Sequence, residues 1–470
     1  MLSSITVGHI KSFYDPQTLT LSEANGAKGS GYNVIVGANN SGKSNFISLV
    51  AQLLAPEQSL TIGREGRHAS EKPVIKVGWS HTNGEIADVS IDPNADGAIF
   101  KKVGSYQGLH QSLRFVPSRR PFAPDYQIGG IMPSDYEHGD LISRRGNLGY
   151  FDTQLASAIA RHFNDPSDKA LFLAELQEID PSSANFMTDN VGGRNVMLYE
   201  GPSRRPHVLS DTGDGITNLL RIVFALATSR QGDCLIIDEP ELSLHPQIQR
   251  NLYQHLLSYS EDRQIIVVTH SPHFVGWKEI STSSRLCRVY VNQGGHSTVA
   301  SPSASSFNAV RAHANITSRK FYDAVCKELF FADKALLVEG ADDVHYLENY
   351  LDEVGAKPLP FMGYGCGGAS AIVPWMRLCV EMGIKCAALF DGDKSEDYIK
   401  ALAEFADQGD IARSYILFKD DIRDKHRRSD TGVETNEVLK EGVFNRRGKI
   451  HPQNSEALKA LIETIRLYLN

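Results

Sequence analysis

Three separated stretches of this 470-residue chain carry residue types that handle phosphate. In Gly37-Ala-Asn39-Asn40-Ser-Gly42-Lys43-Ser44 the glycines let backbone N–H groups close on an anion. Lys43 can reach terminal phosphates there, and the Ser44 hydroxyl can hold Mg²⁺. The second stretch, Cys234-Leu-Ile-Ile-Asp238-Glu239, is an apolar run ending in two carboxylates. Asp238 falls on the metal side and Glu239 is placed to polarise an attacking water. The third, Ile265-Ile-Val-Val-Thr-His270, brings an imidazole that can sense or polarise a γ-phosphate. Together they predict ATP hydrolysis with Mg²⁺. Gly37, Asn39, Asn40, Gly42, Lys43, Ser44 and Asp238 are the expected nucleotide contacts, with Glu239 and His270 as catalytic groups. A further Ser and Gly cluster, Ser210-Asp-Thr-Gly213-Asp214-Gly215, opens a helix and forms a second anion-binding helix start.

A different chemistry is spelled beyond residue 330. Lys334-Ala-Leu-Leu-Val-Glu339-Gly340 reads as an apolar strand ending in a carboxylate, and Lys385-Cys-Ala-Ala-Leu-Phe-Asp391-Gly392-Asp393 repeats that design with two. Strand ends of a parallel sheet converge on one edge, so Glu339, Asp391 and Asp393 are expected to meet. Oxygen ligands of this kind suit Mg²⁺ or Mn²⁺. Asp342 and Asp343, at the start of the next helix, could equally be caps.

These residues need strands before them and helices after them. Asn33-Val-Ile-Val36 is a β-branched run ahead of the first loop, and Asn45 onward has helical periodicity. Runs such as Lys72–Trp79 and Ala87–Ile91, with Asn-Gly and Asp-Pro turn signals beside them, predict antiparallel strands. Richness in Pro, Gly and Arg predicts an insertion over about 117–190, with a helix around Gln154–Phe163. The organisation expected is a nucleotide-binding domain over 1–295, a linker and helical connector over 296–331 with its Ser-rich part at Ser297–Ser306, and a smaller domain over 332–470. The last closes on an amphipathic helix near Glu456–Leu469 that either packs or binds a partner.

The phosphate loop, Asp238-Glu239, His270 and the Gly213-Asp214-Gly215 segment resemble the ABC-type ATPases, in particular the soluble branch of the OLD (overcoming lysogenization defect) family, as does the Ser243-Leu-His-Pro246 ending. That resemblance implies that Ser210 and the Gly213 and Gly215 amides of one protomer close over ATP held by another. Glu339, Asp343, Asp391 and Asp393 resemble a Toprim domain, which implies a metal-dependent phosphoryl-transfer module with Glu339 as acid/base. In that reading Asp391 and Asp393 hold metal and Asp343 helps a second ion. The chain departs from the Toprim pattern at Lys419-Asp-Asp421-Ile-Arg423-Asp424, where Arg423 stands in place of a Glu. The order ABC-type ATPase then Toprim looks like OLD nucleases of Gabija, retron-associated and PARIS-type defence systems. It implies an α/β chain whose ATPase head combines a mixed sheet, antiparallel strands and a helical insertion, followed by a parallel Toprim-like domain. The implied partners are DNA or tRNA, a second copy joined through the ATPase heads, and a companion defence protein.

Composition narrows the alternatives. With 41% hydrophobic and 22% charged residues the chain reads as globular, and no run approaches the roughly 18 apolar residues of a membrane span. The first residues lack a basic-then-apolar signal pattern, so a cytoplasmic protein without membrane association is expected. Six cysteines without a Cys-x-x-Cys pair read as buried thiols, and the 16 histidines show no zinc spacing. A net charge of −8 confines any nucleic-acid contact to a local groove. Paired bases at Arg119-Arg120, Arg144-Arg145, Arg204-Arg205, Lys425–Arg428 and Arg446-Arg447 are candidates. Two functions follow: an ATP-gated endonuclease, or an ATP-switched sensor or scaffold whose Toprim-like domain is idle.

Overall fold

The computed structural model describes residues 1–52, 59–61, 74–80, 86–93, 99–103, 112–118, 159, 166–183, 185–191, 194–200, 205–208, 213–313, 324–428 and 434–470. The chain divides into two compact units, Met1–Ser301 and Pro302–Asn470.

The first unit is built on two six-stranded sheets. One holds β1 (Leu2–Gly8), β2 (Gln17–Thr20), β4 (Ser59–Thr61), β5 (Val74–Ser80), β6 (Ile86–Pro93) and β7 (Ile99–Val103) in the order β2-β1-β5-β6-β7-β4, every pair antiparallel. The other holds β3 (Tyr32–Val36), β8 (Leu113–Val116), β12 (Cys234–Asp238), β13 (Gln264–Val268), β14 (Arg285–Val291) and β15 (Ser297–Ala300) in the order β15-β14-β3-β13-β12-β8. Its strands β3, β12 and β13 are mutually parallel and fully buried, which is why they read as near-continuous apolar runs. Helix α1 (Lys43–Gln52) places Phe46, Ile47 and Val50 in a core shared with Leu2, Ile5 and Trp79 of the first sheet and Ile236 and Ile266 of the second. Buried Gln264 ties the sheets together by bonding both the N–H (2.6 Å) and the carbonyl (2.7 Å) of Leu2. A three-stranded antiparallel sheet follows: β9 (Asn185–Val191), β10 (Arg194–Glu200) and β11 (Pro206–Val208).

Two expected boundaries are corrected. Ser297–Ala300 is not linker but an edge strand antiparallel to β14, because Ser297 and Ala300 are buried and the Ser297 N–H bonds the Ser12 carbonyl at 2.7 Å. The end of the insertion at 190 cuts a hairpin, since Asn185 to Val191 pairs residue by residue with Glu200 to Arg194. The helix expected at Gln154–Phe163 lies, apart from Ile159, outside the described residues.

The second unit opens with α5 (Ala304–His313; α2 to α4 being Pro166–Ile179, Asp214–Ala227 and Pro246–Tyr259). Its sheet is parallel, β16 (Lys334–Leu337), β17 (Lys385–Phe390) and β18 (Ala412–Ile416), in that order. Residue Phe361 bridges Leu336 in parallel on the outer side of β16. Helices α6 (Ala341–Glu353), α7 (Ala369–Glu381) and α8 (Ser395–Glu404) connect the strands, and a hairpin of β19 (Lys425–Arg428) and β20 (Glu434–Lys440) follows. Terminal α9 (Ser455–Leu469) buries Leu458, Ile462, Ile465 and Leu469 against Leu336, Ala387 and Leu389. Of its two expected roles, packing is the one observed. All six cysteines are buried, and among the described residues no helix is long and apolar enough to cross a membrane.

Candidate functional site

The phosphate loop leaves β3 at Gly37, whose φ of +147° suits glycine and where a Cβ would stand 2.0 Å from the Val289 carbonyl oxygen. Asn40 (φ +61°) and Gly42 (φ +104°) turn the backbone again before α1 begins at Lys43. The Ser41 carbonyl is held by the Ser297 hydroxyl at 2.7 Å, so β15 braces the loop from its side. Lys43 is buried and its Nζ donates to the Gly37 (2.7 Å) and Ala38 (2.8 Å) carbonyls. Burial lowers its pKa to about 8, against the pull of Glu239, Asp238 and Glu241; Arg288 acts in the lowering direction. Asn39, Asn40 and Ser44 are exposed at the loop's mouth.

Asp238 ends β12 and accepts from the Ser118 hydroxyl at 2.9 Å, leaving its Oδ1 buried without a partner. Burial pushes its pKa up to about 6, with Glu239 adding to the rise. Glu239 follows in a left-handed conformation (φ +48°), fixed by its N–H bonding the Val268 carbonyl at 2.8 Å. Its Oε1 lies 3.9 Å from His270 Nε2, and its Oε2 is buried without a partner. The unassigned residue here is Glu241, which accepts from the Thr269 hydroxyl (2.7 Å) and the His270 N–H (2.5 Å) and thereby locks His270's backbone. Its sequence signal was only a third carboxylate two residues past Glu239. Lys43 with two free carboxylate oxygens beside it fits a nucleotide and its Mg²⁺. Ser210 lies outside the described residues. Gly213 caps α3 without a side-chain bond, and Gly215 sits where a Cβ would be 2.3 Å from the Ser243 carbonyl oxygen. Asn218, one turn on, donates to the Pro240 (3.2 Å) and Leu242 (3.4 Å) carbonyls, joining this helix to the loop after Glu239.

In the second unit the carboxylates gather at the carboxyl edge of the parallel sheet, as the spacing predicts. Glu339 follows β16, Asp391 and Asp393 follow β17, and Asp421 follows β18. Burial pushes Asp391 up to about 8, with Asp343, Asp421, Glu339 and Asp393 adding to the rise. Asp343 rises to about 7, from burial foremost and then Glu339, Asp421 and Asp342, while its Gly340 bond opposes the rise. Glu339 is also raised, by burial first and then by Asp421 and Asp393, with Lys394 and Lys425 opposing. Asp421 was missing from the expected set although it ends the third strand's loop; its signal was hidden in a charge cluster.

Among the described residues no three His, Cys, Asp or Glu side chains stand in an arrangement that could hold an ion. The reason is visible in their partners. Asp343, at N3 of α6, accepts from the N–H of the N-cap residue Gly340 at 2.7 Å and so caps the helix start. Asp393 pairs with Lys394 (3.1 Å) and Lys440 (3.8 Å), and Asp421 with Lys425 (2.6 Å). The donor set still fits a hard divalent cation, because Glu339 Oε2 is buried without a partner and the cluster raises its own pKa values. Arg423, the departure in the sequence pattern, points elsewhere: its guanidinium bonds Asp342 (2.9 Å) and Glu434 (3.4 Å). Of the paired basic spots, those at 119–120 and 144–145 and Arg204 lie outside the described residues.

Comparison with known proteins gives these two edges a context. A family model described as an AAA domain, putative AbiEii toxin of a type IV toxin–antitoxin system, matches residues 137–276, which include Asp238, Glu239 and His270. The TOPRIM domain of overcoming lysogenization defect protein-like sequences matches residues 330–393. The chain joins an AAA-type ATPase domain to an OLD-like Toprim domain. It is similar to an OLD nuclease of Thermus scotoductus, 31% identical over 164 residues that cover 34% of this chain and 30% of the relative. It is also similar to the endonuclease GajA of Bacillus cereus (30% identical, 30% and 24% covered) and to the Old nuclease of Escherichia phage P2 (25% identical, 35% and 28% covered). Those matches span no more than about 30% of these relatives' length. Among solved structures, an SmcHead bound to the C-winged helix domain of ScpA aligns at TM-score 0.44 and 14% identity, over 64% of this chain and 97% of that one.

Proposed function

We propose that this chain is an ATP-hydrolysing, metal-dependent endonuclease that acts on nucleic acid in bacterial anti-phage defence, in the cytoplasm. The observation that carries the reading is the carboxylate edge of the Toprim domain, where Asp421 adds to the charge cost of both Glu339 and Asp391 and one Glu339 oxygen is left unpartnered. Such an edge is stabilised by a divalent cation, Mg²⁺ or Mn²⁺, which would supply charge stabilisation to the attacking and leaving oxygens of a phosphodiester. Glu339 is the acid/base group, and Asp391, Asp393 and Asp421 hold and orient. Asp343 acts through the helix start it caps.

In the ATPase domain Lys43 and the loop amides bind the phosphates of ATP, Asp238 and Ser44 serve its Mg²⁺, and Glu239 orients the water with His270 beside it. Gly213 and Gly215, with Ser210, form the surface that closes over ATP of a second copy, so a homodimer through the ATPase domains is part of the proposal. The relatives' names, OLD nuclease and endonuclease GajA, support the nuclease and defence parts.

The test is cleavage by the purified chain of plasmid, single-stranded DNA and tRNA with Mg²⁺ or Mn²⁺, with and without ATP. Glu339→Ala and Asp391→Ala should abolish cutting and leave ATP turnover intact. One observation favours a second reading, an ATP-switched scaffold that holds or releases a companion protein: the acidic side chains rest on lysines and a helix cap rather than around a cage. Failure to cut any of the three substrates under any of these conditions would select it.

A further inference from the structure

Among the described residues three large aromatic side chains are exposed, and two of them, Tyr364 (59%) and Phe418 (42%), stand on the flanks of the carboxylate edge. Tyr364 lies in the loop Gly363-Tyr-Gly-Cys-Gly-Gly368, on the outer side of β16. That loop cradles Glu339: the Gly367 (3.0 Å) and Gly368 (2.9 Å) N–H groups bond the Glu339 carbonyl, and the Cys366 N–H bonds Val338. Gly365, at φ +90°, passes so close to Gly340 that a Cβ would meet its Cα at 2.6 Å, which fixes the backbone beneath Tyr364. Phe418 lies past β18 on the opposite flank. Its neighbours pin it, since the Leu417 N–H bonds the Phe390 carbonyl (2.8 Å) and the Lys419 carbonyl accepts from Gly392 (3.0 Å).

Four lysines share this rim. Lys394 and Lys440 touch Asp393, Lys425 touches Asp421, and Lys419 touches Glu441 at 3.5 Å. The lysines of these pairs are 28% to 52% exposed, so solvent weakens their hold and the ammonium groups can exchange a carboxylate for a phosphate. An exposed aromatic ring on a fixed backbone gains from a flat apolar partner, and beside a row of phosphate-seeking cations that partner is a nucleobase. In a duplex the base faces are already stacked on one another; only an unpaired strand offers them.

Resting on the nuclease reading, we propose that Tyr364 and Phe418 are stacking platforms that make the carboxylate edge a binding site for single-stranded nucleic acid, its backbone followed by Lys394, Lys419, Lys425 and Lys440. The test is fluorescence anisotropy of the full chain in EDTA with labelled oligo-dT, oligo-U and a DNA duplex of equal length. Single strands should bind more tightly than duplex. Tyr364→Ala and Phe418→Ala should each weaken single-strand binding about tenfold or more and leave duplex binding unchanged, while Tyr364→Phe and Phe418→Tyr retain it. Lys440→Ala should weaken both forms and flatten the salt dependence. Equal affinity for strand and duplex, or alanine variants that bind oligo-dT and oligo-U within twofold of the parent, overturns the proposal. The two readings separate cleanly: cutting with Mg²⁺ that persists beside unaffected alanine variants removes only the platforms, and stacking loss in a chain that cuts nothing removes only the nuclease.

Discussion

At the carboxyl edge of the ATPase sheet, Asp238, Glu239 and Glu241 act on a lysine that is 4% exposed, whereas at the Toprim edge Glu339, Asp391 and Asp421 face lysines that are one-quarter to one-half exposed. In the first arrangement Glu241 has two donors and Lys43 sits on the carbonyls of its own loop, while Asp238 Oδ1 and Glu239 Oε2 stay buried without partners. The second carries surplus negative charge that burial makes costly. The contrast teaches that one edge brings a buried cation of its own, whereas the other leaves a charge surplus that the proposed divalent cation would offset.

The largest expected effect breaks only the first edge. Glu239→Gln should lower ATP turnover by roughly 10²- to 10⁴-fold, read as phosphate release, with Mn²⁺ affinity at the Toprim edge unchanged. Next, Asp391→Asn should weaken Mn²⁺ binding about tenfold or more by calorimetry while ATP turnover persists; undiminished Mn²⁺ affinity would remove Asp391 from the ligand set. The pH response sharpens the comparison further. Because Asp391 holds its proton to about pH 8 in the fold and Asp343 to about 7, the native state binds more protons than the unfolded chain above about pH 4. Their stabilising contribution is therefore full below that pH and lost as pH rises to about 8. Melting of the EDTA-treated protein should fall across that window, and saturating Mg²⁺ should restore it. Lys43 has the opposite sign, since a pKa lowered to about 8 makes folding gain as pH rises beyond that value. The smallest effect concerns Asp343: Asp343→Ala should cost about 1 kcal/mol in chemical denaturation through the lost cap, and Asp343→Asn much less.

The strand-then-acid grammar made most of both edges readable. β3, β12, β13, β16 and β17 are short buried apolar runs, and each delivers its polar group to the predicted edge. Asp421 escaped because β18 reads Ala-Arg-Ser-Tyr-Ile, half polar, and gives no apolar run to announce the acid behind it. β15 escaped for a related reason: Ser297-Thr-Val-Ala300 on a sheet edge has the composition of a linker, and only its pairing with β14 makes it a strand. Asp343 was legible as two things at once, since a first-turn acid is spelled the same way whether it caps or ligates. Arg423 looked like a lesion in the acidic site, and its partners Asp342 and Glu434 are too distant in sequence for spacing to reveal.

The backbone at Glu239 has a consequence for evolution. A non-glycine residue at φ +48° is paid for in conformational strain, on the order of 1 kcal/mol, and glycine at that position would relieve it. On the role proposed for Glu239, the relaxed version of this turn lacks the carboxylate that orients the water, and selection for thermostability alone would drift toward losing it. Directed evolution without an activity screen should find Glu239→Gly among its hardier survivors.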